Sequence, residues 1–335
     1  MNRKTAGAWQ KTMGFNQGMK QETKVGKKLS GGLAVLLLIV LLHSCTPAGH
    51  SSENQETLSV ITKTATAFTA ATGIPLETVS VQETAAGVTT RSACSEHEGT
   101  LGTYYYDSAV LSEVLEVRVY LPPCYQESAI QYPSIYFFHG SPPNSADWVL
   151  LGAVDQMNAG IESGEYPPAI LVFPLQPDSI FIWSDGGPES YEEEFFLGLV
   201  PFIEAHFRVL SQGSARAIAG ISRGGVWALE ISMMHPDDFS AVAALSPALQ
   251  YNDPRPEYDP FNILQSMERS PERMLLQAGD QDWARDETED LAYALEQAGK
   301  SAILSIVPGS HEAPLWSGSM GQVLAYLLQD WEQLY

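Results

Sequence analysis

The segment Ala217–Leu229, AIAGISRGGVWAL, holds a serine with glycine two residues away on either side: Gly220, Ser222 and Gly224. A serine hydroxyl is a weak nucleophile until a general base takes its proton and a carboxylate orients that base. Flanking glycines have a mechanical reason to exist where a strand turns sharply into a helix, because that turn strains the serine backbone and leaves no room for neighbouring side chains. The surrounding sequence meets the condition. ARAIAG reads as a buried strand running into the serine, and GGVWALEISMMHP reads as a helix that opens with glycine and closes at Pro236. The backbone N–H of Arg223, at the start of that helix, is then suited to bind the oxyanion that forms when Ser222 attacks a carbonyl.

In such an arrangement the partners follow the nucleophile in the order acid, then histidine. Two histidines lie downstream of Ser222, His235 and His311. His235, in MMHPDDF, falls at the far end of the helix and reads as its cap. His311, in VPGSHEAPLW, follows a strand on a glycine-containing loop and is the expected base. The acid is expected after the strand RMLLQA, where GDQDW offers Asp280 and Asp282. Two residues apart in an extended segment, the pair faces one side, so periodicity does not choose between them.

The elements that must position these residues recur from about residue 95 onward. LEVRVYLPP alternates like a half-buried strand, and SIYFFHG, AILVFPL, AVAALSP, RMLLQAGD and AILSIVPGSH read as further strands. ETEDLAYALEQAGK reads as an amphipathic helix closed by Gly299, and MGQVLAYLLQDWEQL as the terminal helix. Strands separated by helices imply an α/β fold with a mainly parallel central sheet and helices on both faces. There is no internal repeat. The loop PDSIFIWSDGGPESYEEEF follows a strand at the carboxyl edge, where α/β sheets hold ligands. Trp183, Asp185 and Tyr191 are its candidates for lining a substrate pocket, and Trp148 and Trp316 lie near the expected site.

Taken together, VYLPPCY, YFFHGSPPNSADW, the serine segment, GDQDW and PGSHEAPLW resemble the putative esterase, or esterase D, family of α/β-hydrolases. That family includes feruloyl and acetylxylan esterases, enterochelin esterases, S-formylglutathione hydrolases and mycolyltransferases. The likeness spans roughly residues 100–335 and implies the α/β-hydrolase fold. The family's acid usually stands fourth in a G-x-x-D pattern, here Gly279 to Asp282, so the resemblance selects Asp282. Its H-G motif matches His139 and Gly140, which implies a second oxyanion donor from the backbone at Gly140 and Ser141, with His139 packing that loop.

Charge and cysteine content frame where this chemistry would operate. The net charge is −22, yet residues 1–28 hold Arg3, Lys4, Lys11, Lys20, Lys24, Lys27 and Lys28 against the single acid Glu22. That head carries +6, so the remainder carries −28. So acidic a surface repels phosphate backbones and disfavours nucleic-acid binding. The ten apolar residues Leu33–Leu42 have the proportions of a signal-peptide core rather than a membrane span, and LLHSC resembles a lipobox whose Cys45 would be lipidated. Residues 1–44 are thus expected to be a lipoprotein signal peptide. Residues 45–94 are expected to form a tether, because 16 of the 48 residues from Thr46 to Ala93 are Ser or Thr. The esterase domain is expected over 95–335. Cys94 and Cys124 remain as a pair that an oxidising compartment would join, for roughly 3–4 kcal/mol of stabilisation.

The expectation is an exported, lipid-anchored serine carboxylesterase acting on a small-molecule or glycan ester, touching the membrane only through its anchor. No cofactor or metal is expected, because the sequence has no H-E-x-x-H, no Cys/His cluster, no Walker A and no G-x-G-x-x-G. Two alternatives remain: an acyltransferase that passes the acyl group to a sugar hydroxyl, and a non-catalytic envelope lipoprotein that binds glycans.

Overall fold

A computed structural model describes residues 95–181 and 186–335. The expected signal peptide and the tether, with Cys45 and Cys94, lie outside the described residues. Among the described residues an eight-stranded sheet runs in the order β1-β2-β4-β3-β5-β6-β7-β8. The strands are β1 (Thr100–Asp107), β2 (Val114–Leu121), β3 (Ser134–Phe138), β4 (Ile170–Pro174), β5 (Arg216–Ile221), β6 (Ala241–Leu245), β7 (Arg273–Gly279) and β8 (Ile303–Val307). β1 and β2 form an antiparallel hairpin and β2 pairs antiparallel with β4, whereas every pairing from β4 through β8 is parallel. The mainly parallel sheet expected from the strand–helix alternation is therefore present, with an antiparallel edge. β1 was not anticipated. As an edge strand it buries little beyond Tyr106, so TLGTYYYD shows no continuous apolar run.

β3, β4, β5 and β6 are buried along their whole lengths. Such strands read as unbroken apolar runs because helices cover both faces of a parallel sheet. Alternate residues still go to opposite sides. Tyr136, Phe138, Ile218, Val242, Ala244 and Leu276 join one core cluster. Ile135, Phe137, Ala217, Ala219, Ala243 and Leu275 join the other.

The helices, in chain order, begin with α1 (Asp147–Leu150), α2 (Ala153–Ser163), α3 (Asp178–Phe181), α4 (Tyr191–Glu194) and α5 (Val200–His206). They continue with α6 (Arg223–Met234), α7 (Pro260–Ser266), α8 (Arg285–Gln297) and α9 (Ala313–Leu328). The first cluster takes α6, α7 and α8, and the second takes α2 and α9. α9 begins at Ala313 rather than at Met320, the start expected from sequence. Pro314 belongs to its first turn, where a missing N–H costs nothing.

The register brings the carboxyl ends of the strands out together. Phe138 pairs with Gly220, Ile221 with Leu245, Leu245 with Gln277 and Gly279 with Val307. Strand order reverses at β3, which lies between β4 and β5, and open α/β sheets hold ligands beside such a switch point.

Candidate active site

Ser222 occupies the turn between β5 and α6 with φ 54° and ψ −113°. A non-glycine residue there is strained and persists only where its surroundings fix it. They do so through hydrogen bonds: the Ser222 N–H donates to the Leu245 carbonyl at 2.9 Å, and the Ser222 carbonyl accepts from Gly225, Val226 and Ala248. The flanking glycines are required by space. A Cβ on Gly220 would lie 2.0 Å from the Gly224 carbonyl oxygen, and one on Gly224 would lie 2.4 Å from the carbonyl oxygens of both His139 and Phe138.

His311, on the loop after β8, places Nε2 3.0 Å from Ser222 Oγ. Its Nδ1 lies 2.8 Å from Asp282 Oδ1, on the turn after β7. The three side chains therefore form one chain from hydroxyl to imidazole to carboxylate. Asp280 does something else: its Oδ1 accepts the Gly309 N–H at 3.0 Å and it does not touch the imidazole.

The Asp282 side chain is buried, and burial alone would raise its pKa. Hydrogen bonds from His311 and from the Ala284 N–H, with the nearby Ser246 hydroxyl, outweigh that cost and hold the carboxyl below its ordinary value. Ser246, at the end of β6 with φ 48°, is a participant that sequence reasoning missed. Its hydroxyl also accepts the Trp316 indole N–H at 3.1 Å.

Gly140 stands against Ser222, where a Cβ would lie 3.5 Å from the Ser222 Cβ. His139, just before it, is buried. Its Nε2 accepts the Gln176 N–H at 2.9 Å, so Nδ1 carries the proton and donates to the Gly140 carbonyl at 2.6 Å. Burial lowers the His139 imidazole to about 4, against the opposing effect of that bond. In a trans peptide the carbonyl and the next N–H point opposite ways. Holding the Gly140 carbonyl on His139 therefore turns the Ser141 N–H away from His139. Across the site, Arg223 occupies the first turn of α6, whose amides lack intrahelical acceptors. Its side chain reaches the Phe181 carbonyl and Asn252 Oδ1.

The other expected residues fall in different places. Trp183 and Asp185 lie outside the described residues. Tyr191 does not line an open pocket: it is fully buried, packed edge-on against Phe138, Phe181 and Trp227. Its position in the N-terminal turn of α4, under the site, sends the ring into the core. Trp148 is also buried and donates its indole N–H to the Phe138 carbonyl. His235 ends α6 as expected, and its Nε2 lies 2.5 Å from the buried carboxylate of Glu192. Trp316 stands edge-on to His311, at 5.1 Å between ring centroids.

Among the described residues, clefts of about 420 and 680 Å³ lie elsewhere, one along β1 and α5 and the other around Tyr335. Neither is lined by Ser222 or His311; convergent polar geometry marks this site. Among the described residues no group of three or more His, Cys, Asp or Glu side chains could hold a metal ion.

Comparison with known proteins bears on the family and the fold. Residues 108–330 match the family model described as "Putative esterase". An esterase of Mycobacterium tuberculosis is 30% identical over 162 residues, which cover 45% of this chain and 33% of the relative. An endo-1,4-beta-xylanase/feruloyl esterase of Xylanibacter ruminicola is 26% identical over 158 residues, 45% of this chain and 22% of that protein. The match thus spans a third or less of these curated relatives. Among solved structures, a ferulic acid esterase superposes with a TM-score of 0.62 at 24% identity, covering 69% of this chain and 98% of that one. The S-formylglutathione hydrolase of Staphylococcus aureus superposes with a TM-score of 0.61 at 14% identity, covering 69% and 100%. The fold is that of the α/β-hydrolases.

Proposed function

This chain belongs to the putative esterase family, and from that premise we propose that it is a serine carboxylesterase whose nucleophile is Ser222, whose base is His311 and whose orienting acid is Asp282. The observation that carries this reading is the continuous contact from Ser222 Oγ to His311 Nε2 at 3.0 Å and from His311 Nδ1 to Asp282 Oδ1 at 2.8 Å.

In the acylation step His311 Nε2 takes the Ser222 proton as Oγ bonds to the ester carbonyl carbon. The carbonyl π electrons move onto oxygen, and the N–H groups of Arg223 and Ser141 stabilise that oxyanion beside Gly140. Losing one such donor typically costs roughly 100- to 1,000-fold in kcat. When the tetrahedral intermediate collapses, the C–O bond to the alcohol breaks and His311 gives its proton to the leaving oxygen. Water, deprotonated by His311, then releases the acid and restores Ser222. Asp282, ionised throughout, stabilises the imidazolium formed in each half-reaction.

The substrate class is an acyl ester of a small molecule or glycan. Supporting this are the feruloyl and ferulic acid esterases among the relatives and structural neighbours. The basic head, the apolar run Leu33–Leu42 and LLHSC support export with lipid attachment at Cys45, and Cys94 would pair with Cys124 outside the cytoplasm.

The test uses the full chain and a fluorophosphonate probe, which reacts with activated serines. Wild type should be labelled and should hydrolyse p-nitrophenyl acetate, whereas Ser222→Ala should do neither. Equal labelling of the two proteins overturns the assignment.

A further inference from the structure

The turn that carries Asp282 also carries Trp283, and the two neighbours meet the same imidazole in different directions. Asp282 binds Nδ1 in the plane of the ring. Trp283 lies over the face of the His311 ring, with centroids 4.0 Å apart and planes 29° apart. The Trp283 ring is in turn braced edge-on by Tyr251 at 4.9 Å. Both are partly open to solvent, Trp283 at 40% and Tyr251 at 72%. A large aromatic kept at the surface in a closely stacked pose needs an explanation beyond core packing, since core residues of this kind are normally buried.

Resting on the reading of His311 as base, we infer that Trp283 is a positioning residue that acts through His311: it fixes the plane of the imidazole between Ser222 and Asp282 and favours the imidazolium formed in the transition state. A flat indole against one face, with the edge of Trp316 at 88° on another side, blocks rotation that would break both hydrogen bonds. The same contact becomes a cation–π interaction once Nε2 has taken the serine proton, and indole is the strongest aromatic partner for a cation.

The charged and titratable groups on the surrounding elements are Asp282 and Asp280 on the β7–α8 turn, Glu312 beside the histidine, Arg223 on α6 and Tyr251 on the segment after β6. Asp282 bonds the ring, Asp280 is engaged by Gly309, and the Arg223 guanidinium is turned to Phe181 and Asn252. The indole is therefore the group whose loss should alter the base without altering its charged partner.

The experiment compares full-length wild type, Trp283→Leu and Trp283→Phe on p-nitrophenyl acetate and on a bulkier aryl ester. Trp283→Leu should lose roughly 5- to 30-fold in kcat on both esters with KM little changed. The acidic limb of its kcat/KM profile should move to lower pH by roughly half a unit. Trp283→Phe should recover most of both effects. The midpoint of the His311 ring-proton NMR titration, assigned by its absence in His311→Asn, should fall in Trp283→Leu as the acidic limb does. A Trp283→Leu enzyme with wild-type kcat, an unmoved profile and KM raised only for the bulkier ester overturns the inference in favour of a substrate shelf. A kcat loss with no movement of profile or NMR midpoint overturns it as well. An inactive, unlabelled wild type is a different result: it defeats the esterase reading, while the NMR titration still judges the Trp283–His311 contact.

Discussion

Asp280 and Asp282 stand two residues apart on one turn, yet only Asp282 reaches the imidazole of His311, at 2.8 Å, while Asp280 holds the Gly309 N–H at 3.0 Å. Each substitution should therefore have its own signature. Asp282→Asn keeps the shape but removes the charge that fixes the tautomer and stabilises the imidazolium, so kcat should fall by roughly 10⁴-fold, as in other triads. Asp280→Asn should keep activity within a few-fold and cost about 1 kcal/mol of stability, the worth of one weakened hydrogen bond. Steady-state kinetics and urea denaturation of the two variants check this. An inactive Asp280→Asn beside an active Asp282→Asn would reverse the assignment.

The elbow around Ser222 has no slack. Gly220→Ala drives a methyl to within 2.0 Å of the Gly224 carbonyl, and Gly224→Ala drives one into two carbonyls of the β3 end. Backbone atoms cannot rotate aside, so each variant should lose about 3 kcal/mol or more, the upper range for overpacking. Fluorophosphonate labelling should be lost even where circular dichroism still reports folded protein. Normal labelling of either variant would show that the turn tolerates a side chain.

His139 makes stability depend on pH. Its imidazole is held at about 4 in the folded state, against about 6.5 for an exposed histidine. Between these values the unfolded chain binds more protons than the folded one, so stability rises with pH across the window. The contribution is intact above pH 6.5 and is withdrawn as pH falls toward 4, by up to about 3 kcal/mol. Urea midpoints measured at pH 7.5 and pH 5 should separate clearly for wild type and much less for His139→Gln. Equal separation in the two proteins would place the proton uptake elsewhere.

The acidic limb of kcat/KM should fit one ionisation above pH 5. Asp282 is held below the ordinary carboxylate value, so it is already ionised across that range. In the proposed mechanism the limb then reports one group, the base that accepts the Ser222 proton. A limb that falls with slope two would mean a second group must also deprotonate.

His235 anchors the segment around Gly187 rather than serving chemistry. Glu192, buried, accepts from His235 and from the Gly187 N–H, and these bonds hold it below the ordinary carboxylate value although burial pushes it up. His235→Ala leaves that carboxylate without its imidazole partner. Because His235 is partly exposed and screened, the loss should be about 1–2 kcal/mol. Thermal melts should show the drop while Ser222 labelling persists; an unchanged melting temperature would mean that the pair contributes nothing.

The sequence alone determined the parallel core of the sheet and the strand-to-helix turn at Ser222, and it singled out His311, which the structure sets beside Ser222. Those features rest on local rules: apolar runs bury strands, glycine permits a strained turn, and chain order limits the base to two histidines. The sequence could not separate Asp280 from Asp282 by periodicity, because the difference is how the turn after β7 packs against the loop after β8. It missed β1, whose exposed edge carries no burial pattern, and it sent Tyr191 to a pocket where the core claims it. Ser246 and Trp283 were also invisible. Both gain their roles from residues about 30 to 70 positions away, Asp282 and Trp316 for Ser246 and His311 for Trp283, and only the registered ends of β6, β7 and β8 bring them to one edge. Long-range contacts of this kind are set by the tertiary fold, since no local spacing encodes which side chains meet across neighbouring strands.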